Sequence, residues 1–120
     1  MENQHRKIKG YRELSQEEVD LMNRIKEKGA ELLVLQDELA NRLSTDDEHK
    51  RAEARRSVQG AETGFLLGRP YDEHSGSTNE CAEYRRFQAA EPLRWAEIGK
   101  TNIQTGIMAL VRAVAQPSEC

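Results

Sequence analysis

Apolar residues in the first half of the chain recur at the spacing of one helix face. Between residues 16 and 43 they advance by steps of 4, 7, 3, 4 and 4, which keeps them within about 80° on a helical wheel. The members of this stripe are Leu21, Ile25, Leu32, Leu35, Leu39 and Leu43. A stripe this narrow is typical of a helix that packs against another helix.

The start of this helix carries a capping box. Ser15 precedes Glu18 by three residues, so each side chain can accept a hydrogen bond from the other residue's backbone amide. The predicted helix therefore runs from about residue 16 to residue 43. The long step of seven residues in the stripe contains Lys28 and Gly29. The missing apolar side chain leaves an opening in the stripe, which suits either a ligand or a close helix crossing.

A second amphipathic helix is predicted from about Pro92 to Ala115, because proline suits a first helical turn and Pro117 ends the pattern. Its apolar face spans about 140° and comprises Ile103, Gly106, Ile107, Leu110, Val111 and Val114. A line of small residues beside this face allows a close approach by another helix; it comprises Gly99, Asn102, Gly106, Ala109 and Ala113. The apolar face and the line of small residues together predict two helical partners, one within the chain and one in a second copy.

The segment between the two helices has a different character. Residues 46–57 mix acids and bases without an apolar stripe, which predicts a short solvated helix. Four glycines and Pro70 interrupt residues 58–90, which predicts a loop with room for a small β-hairpin. The predicted fold is thus mainly α: a single domain over residues 1–120, with helices at about 16–43 and 92–115 forming an antiparallel hairpin, an irregular insertion at about 46–90, and assembly into an oligomer.

The composition supports assembly and excludes several classes of protein. Charged residues make up 32% of the chain, the net charge is only −3, and Leu, Ile, Val and Phe are about a fifth of the residues. A chain with so small a core can gain the missing burial from copies of itself. The pI of 5.7 argues against binding of duplex nucleic acid. No apolar run reaches the length of a membrane span or signal peptide, so we expect a cytoplasmic protein without a membrane partner.

Catalytic chemistry has little support in the sequence. His5, His49 and His74 have no metal-ligand spacing, and Cys81 and Cys120 form no CxxC pair. Motifs for nucleophilic hydrolysis and for phosphate-binding loops are missing. We therefore expect neither an enzyme nor a metal or other cofactor.

Three features suggest binding, and spacing alone leaves each open. Arg112 shares a helix line with Thr101, Thr105 and Met108, which suits either a phosphate or an ordinary solvated face. Tyr11, on a basic N-terminal arm, suits either stacking on a base or packing against the first helix. Lys26 suits either a phosphate contact or a side chain that extends along apolar surface to reach water.

Two runs at opposite ends of the chain resemble the phage anti-CBASS and anti-Thoeris nucleotide-sponge proteins. The first is HRKIKGYRELSQEE at residues 5–18, continued by LMNRIK at 21–26. The second is RWAEIGKT at 94–101, with QTG at 104–106 and MALVRAVAQP at 108–117. Together these runs cover about half the chain, and the RW step and the RAVAQP ending recur together in the family.

The resemblance implies a helical-hairpin domain that assembles into dimers or hexamers and captures cyclic nucleotide immune signals without cleaving them. It implies that Tyr11 stacks on a base and Lys26 meets phosphate between protomers. Arg94 is implied in a separate pocket for cyclic trinucleotides. Arg112, with Thr105 on the same line, fits the arginine that the anti-Thoeris branch uses for cyclic ADP-ribose isomers.

The insertion is the main departure from the shortest anti-CBASS members, and its length looks more like the anti-Thoeris branch. Its aromatic residues are candidates either for stacking on adenine or for packing of a small hairpin; they are Phe65, Tyr71, Tyr84 and Phe87. The alternative function is a helical scaffold or regulator that binds protein through the leucine stripe. A small hydrolase of cyclic nucleotides is the next alternative.

Overall fold

The chain folds mainly as α-helix, with one small strand pair. The computed structural model describes residues 12–59, 65–66 and 69–117. Within these ranges the elements are α1 (Gln16–Val58), β1 (Phe65–Leu66), β2 (Arg69–Pro70), α2 (Asn79–Ala90) and α3 (Pro92–Ala115). The strands pair antiparallel, with Phe65 opposite Pro70 and Leu66 opposite Arg69. The predicted mainly α fold and its small β-hairpin are confirmed.

The capping box at the start of α1 forms as predicted. The backbone N–H of Ser15 donates to Oε1 of Glu18 at 2.9 Å, and the backbone N–H of Glu18 donates to Oγ of Ser15 at 3.1 Å. Two amide groups that the first helical turn leaves without a partner are satisfied in this way. The second hairpin helix, α3, has the predicted bounds of Pro92 and Ala115.

The prediction that the first helix ends near residue 43 is wrong, because α1 continues to Val58. The Thr45 hydroxyl donates to the Asn41 carbonyl at 3.2 Å, so this polar residue is accommodated inside the helix. Packing against α2 also stabilises the additional turns of α1, since Ala54 is fully buried in a core cluster with α2. The mixed-charge segment at 46–57 is therefore the last part of α1 and not a separate short helix.

The prediction of a loop throughout residues 58–90 is also wrong, because residues 79–90 form α2. Thr78 caps this helix by accepting from the backbone N–H of Cys81 at 3.1 Å. Glu91 adopts a left-handed conformation with φ of 50° at the C-cap, and its N–H donates to the Gln88 carbonyl at 3.0 Å. Pro92 then begins α3, so two helices meet almost without a linker.

The chain forms two compact units. Unit 1 comprises residues 1–36 and 98–120, and unit 2 comprises residues 37–97. The expectation of a single domain stays a prediction.

In unit 1, α1 and α3 form an antiparallel pair. Arg12, close to the start of α1, donates to the carbonyl of Val114 near the end of α3 at 2.8 Å. The two helices meet closely at Gly29, which is buried. A Cβ atom placed on Gly29 would lie 2.2 Å from Cδ1 of Ile107, so only glycine fits there without rearrangement. Of the two uses predicted for the opening in the stripe, the close helix crossing is present.

Unit 2 has a small core of its own between α1 and α2. Ala54, Cys81 and Tyr84 are buried together, and Val58 packs against them. The helices run antiparallel, because Lys50 pairs with Glu83 at 2.9 Å while Ser57, further along α1, contacts Thr78 at 2.6 Å before α2 begins. Hydrogen bonds from Arg86 and then Lys50 lower the pKa of Glu83 to about 2.

Candidate functional site

An apolar groove lies on one side of the helix pair in unit 1. Its volume is about 480 Å³, and its apolar lining consists of Leu21, Ile25, Gly29, Leu32, Ile103, Gly106, Ile107 and Leu110. The first four lie on α1 and the other four on α3. The groove therefore lies along the junction of the two predicted apolar faces and includes Gly29 and Ile107, where the helices meet.

Two cationic side chains complete the lining of this groove. Arg24 and Lys28 are both exposed and stand one turn apart on α1. Lys28 makes an ion pair with Glu31 at 3.5 Å, with both side chains well exposed, so the pairing leaves the ammonium accessible to solvent. An apolar floor with cations at its rim can accept a ring system together with an anionic group.

Three of the predicted site residues lie in unit 1, but none of them lines the groove. Lys26, Thr105 and Arg112 are all exposed. Thr105 and Arg112 are seven residues apart on α3 and share one face of it, opposite Ile103. Lys26 has no ion pair among the described residues. The structure thus leaves these three side chains exposed and outside the groove.

Arg94 lies in unit 2, in the first turn of α3. Its guanidinium lies 5.3 Å from the ring centroid of Trp95 and donates to Oε2 of Glu91 at 3.3 Å. Both Arg94 and Trp95 are exposed, so other N–H donors of the guanidinium are accessible to solvent beside the exposed indole ring. Tyr11, the remaining predicted site residue, lies outside the described residues.

The aromatic residues of the insertion divide between packing and partial exposure. Tyr84 is only 2% exposed and Phe87 is 7% exposed. Both pack within unit 2: the Tyr84 hydroxyl accepts from Gln88, and the Phe87 ring lies 5.7 Å from Nζ of Lys50. Packing is therefore the correct reading of these two rings, whereas Tyr71 is half-buried and the side chain of Phe65 lies outside the described part.

Metal-binding clusters and membrane-spanning helices are both absent from the described residues. Within them, no group of three or more His, Cys, Asp and Glu side chains is placed to hold a metal ion. His49 and His74 are exposed and face Glu53 and Glu73 at 3.1 and 3.6 Å. No helix in the described ranges is long and apolar enough to cross a bilayer.

Comparison with known proteins assigns the chain to a family. The family model described as "Acb2/Tad1, hairpin domain" matches residues 3–115. This chain belongs to that family. It is also similar to Anti-CBASS protein 2 of Pseudomonas phage JBD67, with 60% identity over 120 residues that cover all of both chains. The resemblance seen in the terminal runs is confirmed, and it extends through the middle of the chain.

The full-length match bears on the insertion. Because the Anti-CBASS relative aligns over the whole chain, it also aligns with residues 46–90. The presence of an insertion therefore does not by itself place a member of this family in the anti-Thoeris branch.

Two cations near the helix pair were not recognised from the sequence. Arg24 borders the leucine stripe at the turn where the stripe opens, and a search for basic residues beside that opening would have found it. Arg12 offers no such signal, because its contact with Val114 joins residues that are 102 positions apart.

Proposed function

We propose that this protein is a phage anti-defence protein that binds and sequesters the cyclic oligonucleotide signals of CBASS without cleaving them. The observation that carries the proposal is the 60% identity, over the whole chain, to a protein named Anti-CBASS protein 2. Capture requires complementary charge, ring stacking and enclosure, and it needs no general acid or base. The protein would act in the cytoplasm of the infected bacterium, where these signals are made.

The chemistry of unit 1 supports a ligand of this class. A cyclic oligonucleotide presents flat, weakly polar bases and anionic phosphates on one small ring. Lys26 is exposed and free of ion pairs among the described residues, so its ammonium can meet a phosphate without breaking an internal contact. The groove bordered by Arg24 and Lys28 adds apolar surface and positive charge on the same helix.

The scatter of the candidate residues supports a site shared between copies. Lys26 and Arg112 are exposed on α1 and α3 of unit 1, and neither lines the groove. Large apolar side chains on the same helices are exposed as well, including Val34 at 68% and Met108 at 71%. Packing of a second copy on these faces would bury apolar surface and enclose the ligand, so the proposed assembly is a homo-oligomer.

Cyclic ADP-ribose isomers of the Thoeris system form the second proposed ligand class. The resemblance to the anti-Thoeris branch implies an arginine of the closing helix for these ligands, and Arg112 stands exposed on the same face of α3 as Thr105. A guanidinium can bind a phosphate through two parallel hydrogen bonds, and a nearby hydroxyl can donate a third. Arg112→Ala should weaken capture of cyclic ADP-ribose by about 1.5 to 3 kcal/mol, the range for a hydrogen bond to a charged group.

Calorimetric titration of the purified protein tests these proposals. Separate titrations would use a cyclic dinucleotide, a cyclic trinucleotide and a cyclic ADP-ribose isomer, followed by heat release of the ligand and chromatography. We expect binding of the cyclic dinucleotide and recovery of the intact ring. Lys26→Ala should weaken that binding by about 1.5 to 3 kcal/mol, whereas Lys100→Ala, which removes another exposed lysine of unit 1, should change it little.

Each alternative function has its own result in this experiment. A linear product after incubation would identify a hydrolase. An absence of heat with every nucleotide would favour the helical scaffold, with the exposed leucines as its binding surface. Loss of only cyclic trinucleotide binding in Arg94→Ala would assign Arg94 to a separate pocket, and an equal loss for all ligands would contradict that assignment.

A further inference from the structure

Residues 72–78 precede α2 and form a polar turn with hydrogen bonds of its own; this segment is called the strap below. The carboxylate of Asp72 accepts from the backbone N–H groups of His74 at 2.8 Å and Ser75 at 3.0 Å. It also accepts from the Ser75 hydroxyl at 3.1 Å. The hydrogen bond from the His74 backbone, first of all, lowers the pKa of Asp72. An aspartate that accepts from the amides just after it fixes a turn, so the strap has a defined conformation.

The strap lies against both helices of the unit 2 core. Gly76 is buried, and a Cβ atom placed on it would lie 2.6 Å from Cγ1 of Val58 on α1 and 2.7 Å from Sγ of Cys81 on α2. At the end of the strap, the Thr78 hydroxyl contacts the Ser57 hydroxyl of α1 at 2.6 Å. The strap therefore covers the part of the core where Cys81 is fully buried.

Two arginines, one from each helix, hold the strap in this position. From α2, Nη1 of Arg85 donates to the carbonyls of His74 at 3.2 Å and Gly76 at 2.7 Å. From α1, Nε of Arg55 donates to Oε2 of Glu73. Arg85 thus binds backbone carbonyls of the strap, whereas Arg55 binds a carboxylate and forms an ion pair with it.

The Glu73 carboxylate is the group in the strap that depends most on its partner. Its side chain is only 5% exposed, so water stabilises little of its charge. Nε2 of His74 lies 3.6 Å from Oε1 of Glu73 and its ring lies 5.8 Å from that of Tyr84, but the imidazole is a cation only when protonated. Arg55 is permanently charged, and the Glu73 carboxylate raises the pKa of Arg55 further. A buried carboxylate that loses such a partner is strongly destabilised.

We propose that residues 72–78 are a movable strap over the unit 2 core and that the Glu73–Arg55 ion pair holds it closed. Breaking this pair opens the strap while α2 stays in place, because α2 has separate contacts with α1. Lys50 pairs with Glu83 at 2.9 Å, and Tyr84 is buried in the core. Local opening of this kind requires that few contacts be broken. The inference goes beyond the proposed function and does not depend on ligand binding.

Cys81 provides a probe of the opening. Its side chain is fully buried, and its Sγ lies 3.7 Å from the carbonyl of Asp72 in the strap. An aromatic disulfide reagent reacts with this thiol only when the strap has moved, because the thiolate must attack one sulfur of the reagent and displace the coloured thiolate of its other half. Cys120, the other cysteine of the chain, would be replaced by serine in every protein tested. The labelling rate then follows the fraction of open strap.

Labelling rates would be compared between this background and variants of the ion pair. We expect Arg55→Met to accelerate labelling by about ten- to a hundredfold, because it leaves Glu73 charged, buried and unpaired. This range lies below the effect of breaking a fully buried pair, since the Arg55 side chain is 57% exposed. Adding Glu73→Gln to Arg55→Met should reverse part of the acceleration, because no unpaired charge remains. The matched control Arg86→Met breaks an exposed pair with Glu83 and should change the rate by less than about twofold.

Urea separates opening of the strap from unfolding of the whole protein. The urea dependence of a transition grows with the surface that it exposes. Labelling through the open strap should therefore change little in urea concentrations below the unfolding transition. Arg55→Lys keeps the test valid if Arg55→Met fails to fold by circular dichroism. It retains the charge but loses the Nε–H donor, so it should accelerate labelling by at least about threefold.

Two results would overturn the strap. Unchanged labelling in Arg55→Met, or in Arg55→Lys if only that variant folds, would show that the ion pair does not hold it closed. Labelling that rises with urea as steeply as global unfolding in every protein would show that Cys81 becomes accessible only when the whole chain unfolds. Neither result affects the proposed capture of nucleotides, which the calorimetric titrations test separately.

Discussion

The two units of this protein are stabilised in different ways. In the described part of unit 2, Cys81, Tyr84 and Phe87 are buried, and the buried Glu73 pairs with Arg55. In the described part of unit 1, the only buried residues are Gly29 and Ala115, and neither is large. Large apolar side chains that are exposed in the described part of unit 1 are Leu21, Leu32, Val34, Leu35, Met108 and Leu110.

This difference indicates that the two units have different roles. Unit 2 buries an aromatic core and one charged side chain within the chain, although Leu39, Leu93 and Trp95 stay exposed. Unit 1 leaves several large apolar side chains of α1 and α3 exposed, which is the surface that the proposed second copy would bury. The same unit carries the Lys26 and Arg112 candidates, so the surface that needs a partner and the proposed ligand-binding residues occur together.

The largest expected effect is the loss of the unit 2 core in Tyr84→Ala. The Tyr84 side chain is 2% exposed, and removing a buried aromatic ring costs about 3 to 5 kcal/mol. Urea unfolding followed by hydrogen exchange should show early exchange in α2. Tyr84→Phe, which removes only the hydroxyl that accepts from Gln88, should cost about 0.5 to 1.5 kcal/mol. If Tyr84→Ala were as stable as Tyr84→Phe, the buried ring of Tyr84 would not contribute to the stability of unit 2.

The next effect concerns the helix crossing of unit 1. Gly29→Leu should destabilise the protein by about 1 to 3 kcal/mol, because the new side chain would overlap Ile107. Adding Ile107→Ala to this variant should recover part of the loss, measured as a coupling free energy in urea unfolding.

Gly106 provides the matched control for this crossing. A Cβ atom at Gly106 would meet nothing within 4 Å, so Gly106→Ala should be neutral or more stable by up to about 1 kcal/mol through helix propensity. The matched variant Gly29→Ala should destabilise the protein, because its Cβ would overlap Ile107, and equal effects of Gly29→Ala and Gly106→Ala would show that the close contact does not exist in solution.

The smallest effect is a pH dependence that both units share. The pKa values of Glu18 in unit 1 and Glu83 in unit 2 are lowered from 4.5 to about 2, first by hydrogen bonds from Arg12 and Arg86. The unfolded chain therefore binds more protons between these values, so the contribution of each pair is complete above about pH 4.5 and is lost as pH falls through 2.

Carboxyl chemical shifts measured by NMR between pH 2 and 6 would check this dependence unit by unit. Arg12→Ala should return the pKa of Glu18 towards 4.5 and leave Glu83 unchanged. Arg86→Ala should raise only the pKa of Glu83. A change at both carboxylates in either variant would contradict the separation into two units.

Local sequence signals predicted the hairpin helices but underestimated the middle of the chain. The Ser15 capping box and Pro92 defined one end of each hairpin helix, because capping depends on neighbouring residues alone. The end of α1 near residue 43 could not be predicted in this way. Ala54 and Lys50 contact α2, which is distant in sequence, and these contacts override the weak helix propensity of Ser44, Thr45 and Asp46.

The sequence of α2 contains a local signal for a helix, but the neighbouring glycines led to the prediction of a loop. Cys81, Tyr84 and Phe87 are spaced at i, i+3 and i+6 behind the capping Thr78, and residues 79–90 contain no glycine or proline. The glycines of residues 60–76 dominated the prediction for the whole segment, although they end before the helix begins.

The sequence by itself determined what depends on neighbouring residues and on the family: the helix stripes, the caps and the membership that the terminal runs revealed. Only the tertiary structure decided which residues meet across the chain. It decided that Gly29 accepts Ile107 and that Arg12 joins Glu18 to Val114, because such contacts follow from the path of the backbone. It also decided that the leucine stripe is only partly covered, since exposure depends on what packs against a helix and not on the pattern along it.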